Sequence, residues 1–308
     1  MEEMLKNKKI AIIATLIAML LWGSAIPTIK TTYLELGVGR ADTGAQLFIA
    51  GIRFFLAGVL GFVYLKAFNK EKIVKEDISY KYILTLSLTQ TFVQYLIYYI
   101  ALSNTAGVKA AIIQSTNAFM VVLVSLLILP SEKVHPKTIF AIVLGTLGII
   151  VVNGGIRGMS INFNPMGEGL ILLSTFFNAL SSVYVRKNGK NQNEFLVTAC
   201  QFIIGSIPLI IIGKILYPQG LDFSPKAVLL LVYGAFISAT AYVIWNTVLK
   251  HHSANEMGMY KLFIPIFGSV LSVLILGESF TRNLFIGLVL VIIGSLVLNV
   301  DVKKYKKK

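Results

Sequence analysis

Two basic side chains, Lys261 and Arg53, lie inside long apolar stretches of the sequence. A charge at the centre of a membrane helix costs roughly 3 kcal/mol or more by insertion scales, so such residues usually face a cavity or a partner. Lys261 lies about seven residues into its stretch, roughly 10 Å deep at 1.5 Å per residue. Snorkelling toward the membrane surface is the alternative interpretation. We expect Lys261 to hold a carboxylate or another anionic group, or to change protonation as the protein works.

Prolines are expected to interrupt three of the apolar helices. Pro27, Pro208 and Pro265 each remove one intrahelical hydrogen bond and free the carbonyl four residues earlier. For Pro265 that carbonyl belongs to Lys261, which adds a polar backbone group beside the ammonium. We therefore predict functional helix breaks at Pro27 and Pro265.

Arg53 lies about nine residues into its apolar stretch, near mid-depth. Two interpretations are open for it: contact with a bound molecule, or a brace between helices. The corresponding position in the second half of the chain is Gln201, which is polar but neutral.

Other polar and aromatic residues occur within the apolar stretches. Gln90 and Gln94 are one helical turn apart, as are Tyr242 and Asn246. Apolar walls with a few amide and aromatic contacts suit a small zwitterionic or aromatic metabolite, although helix–helix hydrogen bonding explains any single residue equally well. The candidate binding residues are Lys261, Gln114, Arg53, Trp22, Gln90, Gln94, Asn117, Asn178, Tyr242, Trp245, Asn246 and Tyr260.

Sequence motifs for catalysis are missing. The sequence has no GxxxxGK[ST] phosphate loop, no GxSxG, no HExxH and no usable cluster of His, Cys and Asp. Its single cysteine, Cys200, lies within an apolar stretch and rules out a disulfide. These patterns predict that the chain is not an enzyme and needs neither a metal nor a cofactor.

The elements that must position these residues are membrane helices. Hydrophobic residues make up 56% of the 308-residue chain and charged residues only 14%, with a mean hydropathy of +0.77. Apolar stretches long enough to cross about 30 Å of hydrocarbon recur along the whole length. We predict an all-α integral membrane protein with ten transmembrane helices, near residues 9–29, 44–66, 80–101, 105–129, 137–153, 166–186, 195–216, 226–249, 254–276 and 282–300.

The net charge of +14 invites a nucleic-acid interpretation, but the positions of the basic residues argue against it. Most of the 28 Lys and Arg residues fall in the termini and in alternate loops, which predicts that both termini are cytoplasmic. The basic tail 301–308 then lies against anionic lipid headgroups of the cell membrane. The lipid bilayer, and not nucleic acid, is the expected partner.

The chain also contains an internal repeat. A constant shift of 147 positions brings Tyr95 onto Tyr242, Leu102 onto Leu249 and Gln114 onto Lys261. We place the first repeat at residues 1–155 and the second at 156–308. Because each repeat has five predicted spans, the second must enter the membrane from the opposite face, which predicts inverted repeats about a pseudo-two-fold axis in the membrane plane.

Short motifs make the whole chain similar to the drug/metabolite transporter superfamily, and within it to the EamA-type transporters. They are Trp22-Gly23-Ser24, Arg53-Phe54, Leu276-Gly277-Glu278 and the weaker Leu129-Pro130-Ser131-Glu132. The resemblance implies ten helices, cytosolic termini, a central cavity between the halves and transport of small metabolites.

Two local features qualify this resemblance. The first half has Ala118 where the second has Pro265, and Ser131 is inserted before Glu132, so the fourth and ninth helices are expected to bend differently. Glu132 and Glu278 precede the fifth and tenth helices, where a carboxylate is expected to cap the helix N-terminus.

The expected function is secondary transport, by alternating access, of a small metabolite such as an amino acid. Export is favoured because of the resemblance, and the coupling ion is a proton or sodium. The alternatives are a non-transporting scaffold or sensor, and a proton-coupled drug antiporter. The antiporter is disfavoured because no acidic residue lies between Met4 and Thr32 and the clearest buried charge is positive.

Overall fold

A computed structural model describes residues 2–68, 78–128, 136–152, 163–189, 192–252 and 259–299. All regular secondary structure in these residues is helical. Seven helices are long and apolar enough to cross a membrane, and three shorter apolar helices cover Ile139–Val152, Phe263–Leu276 and Arg282–Gly294. The chain is therefore a multi-pass membrane protein. The prediction of ten spans goes beyond this count.

After a short helical turn at Glu2–Leu5, the helical elements are labelled here in chain order. They are α1, Lys8–Glu35; α2, Thr43–Phe68; α3, Tyr80–Ser103; α4, in two pieces, Gly107–Gln114 and Asn117–Ile128; α5, Pro136–Val152; α6, a π-helical turn Pro165–Gly169 followed by Leu170–Asn188; α7, Glu194–Leu216; α8, Pro225–His251; α9, a 3-10 turn Met259–Leu262 followed by Phe263–Leu276; and α10, Arg282–Asn299.

The helix ends follow local sequence signals. Asn193 and Ser224 precede α7 and α8, and each side chain accepts a hydrogen bond from the backbone of the first turn. Such N-caps satisfy one of the amide groups that a helix start leaves without a partner. Gly37 and Gly277 follow α1 and α9 with φ angles of 63° and 66°, the left-handed conformation that glycine adopts to end a helix.

Helices α2 and α7 pack closely through glycines on one face of α2. A Cβ atom added at Gly51 would lie 2.5 Å from Ile210 Cγ1, and one at Gly58 would lie 2.7 Å from Ile203 Cγ1. Residue numbers rise along α2 while they fall along α7, so these two helices run antiparallel. Small residues allow such close contact in a membrane, where packing rather than the hydrophobic effect holds helices together.

Helices α5 and α10 meet in the same way. A Cβ at Gly148 would lie 2.7 Å from Val291 Cγ2, and one at Gly287 would lie 2.3 Å from Val152 Cγ2. Helices α4 and α9 are also antiparallel, because Gly107 faces Ser272 while Ala111, further along α4, faces the earlier Gly268. Each of these pairs joins a helix to the one five places later.

Further contacts between helices also occur in pairs, in which each helix is replaced by the one five places later or earlier. Helix α1 packs on α8 and α9, as α6 packs on α3 and α4, and α2 packs on α8 as α7 packs on α3. The main contacts between helices α1–α5 and helices α6–α10 thus come in matching pairs.

Local departures from regular helix differ from those predicted. Helix α1 continues across Pro27 without a break. In α9 the 3-10 turn Met259–Leu262 precedes Pro265, which lies in the first α-helical turn, where its missing N–H removes no intrahelical bond. The predicted break at Pro265 therefore lies before the proline. Ser87–Val93 within α3 is π-helical, which the sequence analysis did not predict.

Glu278 caps a helix, but the prediction that this helix is α10 is wrong. The carboxylate accepts hydrogen bonds from the backbone N–H groups of Gly107 and Val108, both at 2.7 Å. It therefore caps α4 of the first half instead of α10, which follows it in sequence. Glu132 lies outside the described residues, and the side chain of Ala118 is not described either.

Candidate functional site

Three aromatic residues and Lys261 meet where α1 contacts α8 and α9. Trp22 of α1 lies edge-on to Tyr242 and Trp245 of α8, with ring centroids 5.5 and 6.1 Å apart. Both α8 rings are 9% exposed. Lys261 Nζ lies over the Trp245 ring, 4.7 Å from its centroid. We call these four residues the aromatic–lysine cluster.

The ammonium of Lys261 is only partly satisfied by this contact. A cation over an indole face gains roughly 0.5–2 kcal/mol, but the ring accepts no conventional hydrogen bond from the three ammonium donors. Among the described residues, Lys261 has no hydrogen-bond or ion-pair partner. The cluster can therefore bind an oxygen anion without first breaking an ion pair within the described part of the chain.

The equivalent position in the first half holds a second polar–aromatic pair. The Tyr98 hydroxyl donates a hydrogen bond of 3.1 Å to Gln114 Oε1. Under the shift of 147, Tyr98 corresponds to Trp245 and Gln114 to Lys261. Gln114 ends the first piece of α4, and Lys261 lies in the 3-10 turn that opens α9. Both side chains thus occupy matching departures from regular helix.

A chain of aromatic rings connects the two positions. Centroid distances are 6.1 Å from Tyr98 to Tyr95, 4.1 Å from Tyr95 to Phe54 and 5.3 Å from Phe54 to Phe202. Phe202 lies 5.4 Å from Tyr242, the repeat equivalent of Tyr95. The rings come from both halves and pack against one another, with Phe54 and Phe202 fully buried, so aromatic side chains fill the region between Tyr98 and Tyr242.

Arg53 is engaged by protein groups on three sides. Its guanidinium donates to the Gly234 carbonyl (2.9 Å), the Tyr99 hydroxyl (3.0 Å) and the Ser238 hydroxyl (3.0 Å). The side chain is 5% exposed, and no carboxylate of the described residues lies within 4 Å. These bonds tie α2 to α3 of its own half and to α8 of the other, which is the geometry of a brace.

Amide side chains form a separate chain between α3, α4 and α6. Asn117 donates to Asn178 Oδ1 at 2.9 Å, and Asn178 donates to Gln94 Oε1 at 3.2 Å. Gln90, one turn before Gln94, lies in the π-helical segment and makes no hydrogen bond to the described residues. Of these two glutamines, Gln94 takes part in the amide chain among the described residues.

The other candidate residues lie near these groups. Tyr260 packs against the core between α1 and α8 that includes Trp245. The side chain of Asn246 is outside the described residues. Sequence reasoning missed Tyr98 and Tyr99, although the shift of 147 would have identified Tyr98 as the equivalent of Trp245.

Ion pairs connect the two halves at the end of the molecule where α1 finishes. The pairs among the described residues are Lys30–Glu278 at 4.0 Å, Lys109–Glu168 at 2.8 Å and Lys226–Glu35 at 2.7 Å. Each pair takes one residue from either half. Glu168 also accepts hydrogen bonds from the Thr105 hydroxyl and the Asn164 N–H, both at 2.6 Å. We call this set the inter-half ion pairs.

Comparisons with known proteins agree with this architecture. The EamA-like transporter family model matches residues 9–154 and again residues 165–300. A probable amino-acid metabolite efflux pump of Escherichia coli is 23% identical over 308 residues, covering 96% of each chain. An uncharacterized transporter of Bacillus subtilis is 25% identical and covers 99% of this chain and 96% of its own.

Further matches support the same assignment. An uncharacterized transporter of Clostridium kluyveri is 27% identical over 74% of each chain. A crystal structure with 18% identity superposes with a TM-score of 0.62, covering 95% of this chain and 97% of the other, and so shares the fold. These relatives are named as transporters, which are not enzymes. Both copies of the family pattern are present, and the chain belongs to the EamA-like transporter family.

Proposed function

We propose that this protein is a secondary transporter that carries a small metabolite by alternating access, with the aromatic–lysine cluster as part of the substrate site. The observation that carries the proposal is the position of Lys261. Its ammonium lies over Trp245, whose ring contacts Trp22 of the other half, and has no carboxylate partner among the described residues. A charge held in this way is expensive unless the protein uses it.

Inverted repeats would supply the two states that alternating access requires, one open to each side of the membrane. Helices α2 and α7, α4 and α9, and α5 and α10 are equivalent by position and run antiparallel. A two-fold axis in the membrane plane produces this arrangement, whereas a parallel repeat would not. In such proteins the halves rock about a site at their interface. The proposed topology has ten membrane spans. Both termini lie on the cytoplasmic side of the plasma membrane.

The inter-half ion pairs would close one entrance. All lie at the end where α1 finishes, which is the extracellular end if the N-terminus is cytoplasmic. Alternating access then requires Glu278 to leave the α4 N-terminus and Glu168 to leave Lys109 when this entrance opens.

The substrate is a small metabolite of the amino-acid type, and the direction is export. The relative in Escherichia coli carries the name of a probable amino-acid metabolite efflux pump, which supports both points. A cationic drug is disfavoured because Glu168, a buried carboxylate, is occupied by Lys109 and Thr105. The coupling ion is a proton or sodium.

The experiment is a metabolite screen followed by flux. Compounds that raise the unfolding temperature of purified protein are radiolabelled and tested in proteoliposomes. Wild-type protein is expected to move at least one of them, and Lys261→Gln to abolish that flux while leaving the protein folded. Lys66→Gln, at an exposed position in the last turn of α2, is the matched control and is expected to transport normally. Normal flux through Lys261→Gln would remove Lys261 from the site.

A further inference from the structure

Resting on this proposed function, we infer that the substrate lies across the pseudo-two-fold axis with a carboxylate at Lys261 and a neutral hydrogen-bond acceptor at Gln114. The inference starts from one shift that relates two contacts. Tyr98 contacts Gln114 in the first half, and Trp245 contacts Lys261 in the second. Each residue of one contact is 147 positions from its counterpart in the other, Tyr98 from Trp245 and Gln114 from Lys261. We call these contacts the neutral pole and the charged pole.

The charged pole matches a carboxylate. Lys261 offers three N–H donors and a positive charge with no described partner other than the face of Trp245. Arg53, the other cation in this region, already donates to Gly234, Tyr99 and Ser238. A single lysine suits a singly charged carboxylate better than a dianionic phosphate, which recurrently draws on arginine forks or helix N-termini.

The neutral pole matches an oxygen acceptor. Because Gln114 Oε1 accepts from the Tyr98 hydroxyl, the amide NH2 group is the part of Gln114 that is left to donate. No carboxylate of the described residues bonds to either pole. A carbonyl, amide or hydroxyl oxygen of the substrate can therefore accept a hydrogen bond from this NH2 group.

The side chains between the poles are aromatic. Tyr95 and Tyr242 are equivalent residues that hydrogen-bond to each other, and Phe54 and Phe202 beside them are fully buried, so these rings must move apart before a substrate can lie between the poles. Once apart, they suit an apolar or planar body with little polar surface. The substrate class is thus a small monocarboxylate with an apolar or aromatic body and a neutral acceptor at its far end, such as an N-acylated or keto derivative of an amino acid.

The asymmetry between the poles is limited to a few side chains on a symmetric frame. Gln114 and Lys261 both lie at departures from regular helix in equivalent elements, α4 and α9. Exchanging their side chains should therefore move the charge to the opposite pole without altering the frame. Substrate would then bind in the reverse orientation.

The test compares carboxylates with their primary amides on purified full-length protein, by calorimetry and thermal shift. Wild type is expected to bind a carboxylate roughly 10- to 100-fold more tightly than its amide, the factor for one charge-assisted hydrogen bond. Lys261→Gln should lose this preference, and the double variant Q114K/K261Q should regain it. A wild-type preference retained in Lys261→Gln, or a folded double variant no better than Lys261→Gln, would overturn the two-pole arrangement.

A third variant keeps the test decisive if the double variant does not fold. Gln114→Glu places an acceptor with negative charge at the neutral pole, so it should shift preference from N-acylated amino acids toward the free zwitterions. No shift in that variant would also contradict the inference. Flux in proteoliposomes separates the two proposals. Binding that follows these patterns without any flux would contradict the transport function alone. Flux that is unchanged by substitutions at Lys261 and Gln114 would contradict the two-pole site alone.

Discussion

Replacing Glu278 by Gln should open the end of the protein that the inter-half ion pairs close. The carboxylate of the second half holds the N–H groups of Gly107 and Val108 in the first half, both at 2.7 Å. Gln keeps the shape but offers one oxygen acceptor and no charge. It loses one charge-assisted bond, about 1.5–3 kcal/mol, and the favourable interaction of an anion with a helix N-terminus, about 0.3–1 kcal/mol.

The expected loss from the closed arrangement is therefore about 2–4 kcal/mol. Since about 1.4 kcal/mol corresponds to a factor of ten, the open fraction should rise roughly 30- to 700-fold. Lys30 lies 4.0 Å from Glu278, at the limit of an ion pair, and a contact of this kind contributes about 0–1 kcal/mol. Lys30→Gln is thus a control of similar position and smaller effect.

The assay is maleimide labelling of a cysteine at Ser272. Ser272 is fully buried beside Gly107, and the natural Cys200 can be replaced by Ser so that one thiol remains. When opening is fast relative to labelling, the labelling rate follows the open fraction. Glu278→Gln should raise the rate roughly 30-fold or more. An unchanged rate, or an equal rise in Lys30→Gln, would refute the assignment of Glu278 to this closure.

Other variants test the packing of the halves, all by thermal unfolding in detergent. Arg53→Gln removes a buried cation with three hydrogen bonds and should lower the free energy of unfolding by about 3–5 kcal/mol. The control Lys66→Gln should change it by almost nothing. Lost transport at unchanged stability would make Arg53 a substrate contact instead. Gly51→Val should lower the free energy of unfolding by about 1–3 kcal/mol or more, because the new side chain overlaps α7. Gly39→Ala, in a loop, should change it very little. Equal effects would contradict the close packing of α2 on α7. Asn178→Ala should lower the free energy of unfolding by about 1–3 kcal/mol, because it removes the donor to Gln94 Oε1 and one of the two acceptors of the Asn117 amide. A neutral result would mean that water replaces the amide chain.

Apolar length and a constant repeat shift were sufficient to predict most of the helices, and short motifs indicated the family. The ends of α2 and α7 follow directly from these signals, at Thr43–Phe68 and Glu194–Leu216 against predicted spans of 44–66 and 195–216. Both signals depend only on composition along the chain, which the membrane makes decisive because every span must satisfy its own backbone hydrogen bonds.

Interactions between the halves could not be predicted in the same way. Glu278 lies just before α10, so local rules assign it to that helix, yet the fold brings the α4 N-terminus closer. The partners of Arg53 are a carbonyl and two hydroxyls more than 40 positions away, and nothing in their local sequence marks them. The π-helical segment of α3 was likewise not predicted from helical spacing.

Counterflow in proteoliposomes tests the central claim, alternating access through a site that includes Lys261. Vesicles loaded with an unlabelled substrate found in the screen are diluted into trace labelled substrate, without ATP or an ion gradient. A carrier of this type exchanges the two, so label should accumulate transiently above its external concentration in wild type and not in Lys261→Gln. Label that only equilibrates in wild type, or accumulates equally in the variant, would contradict the account.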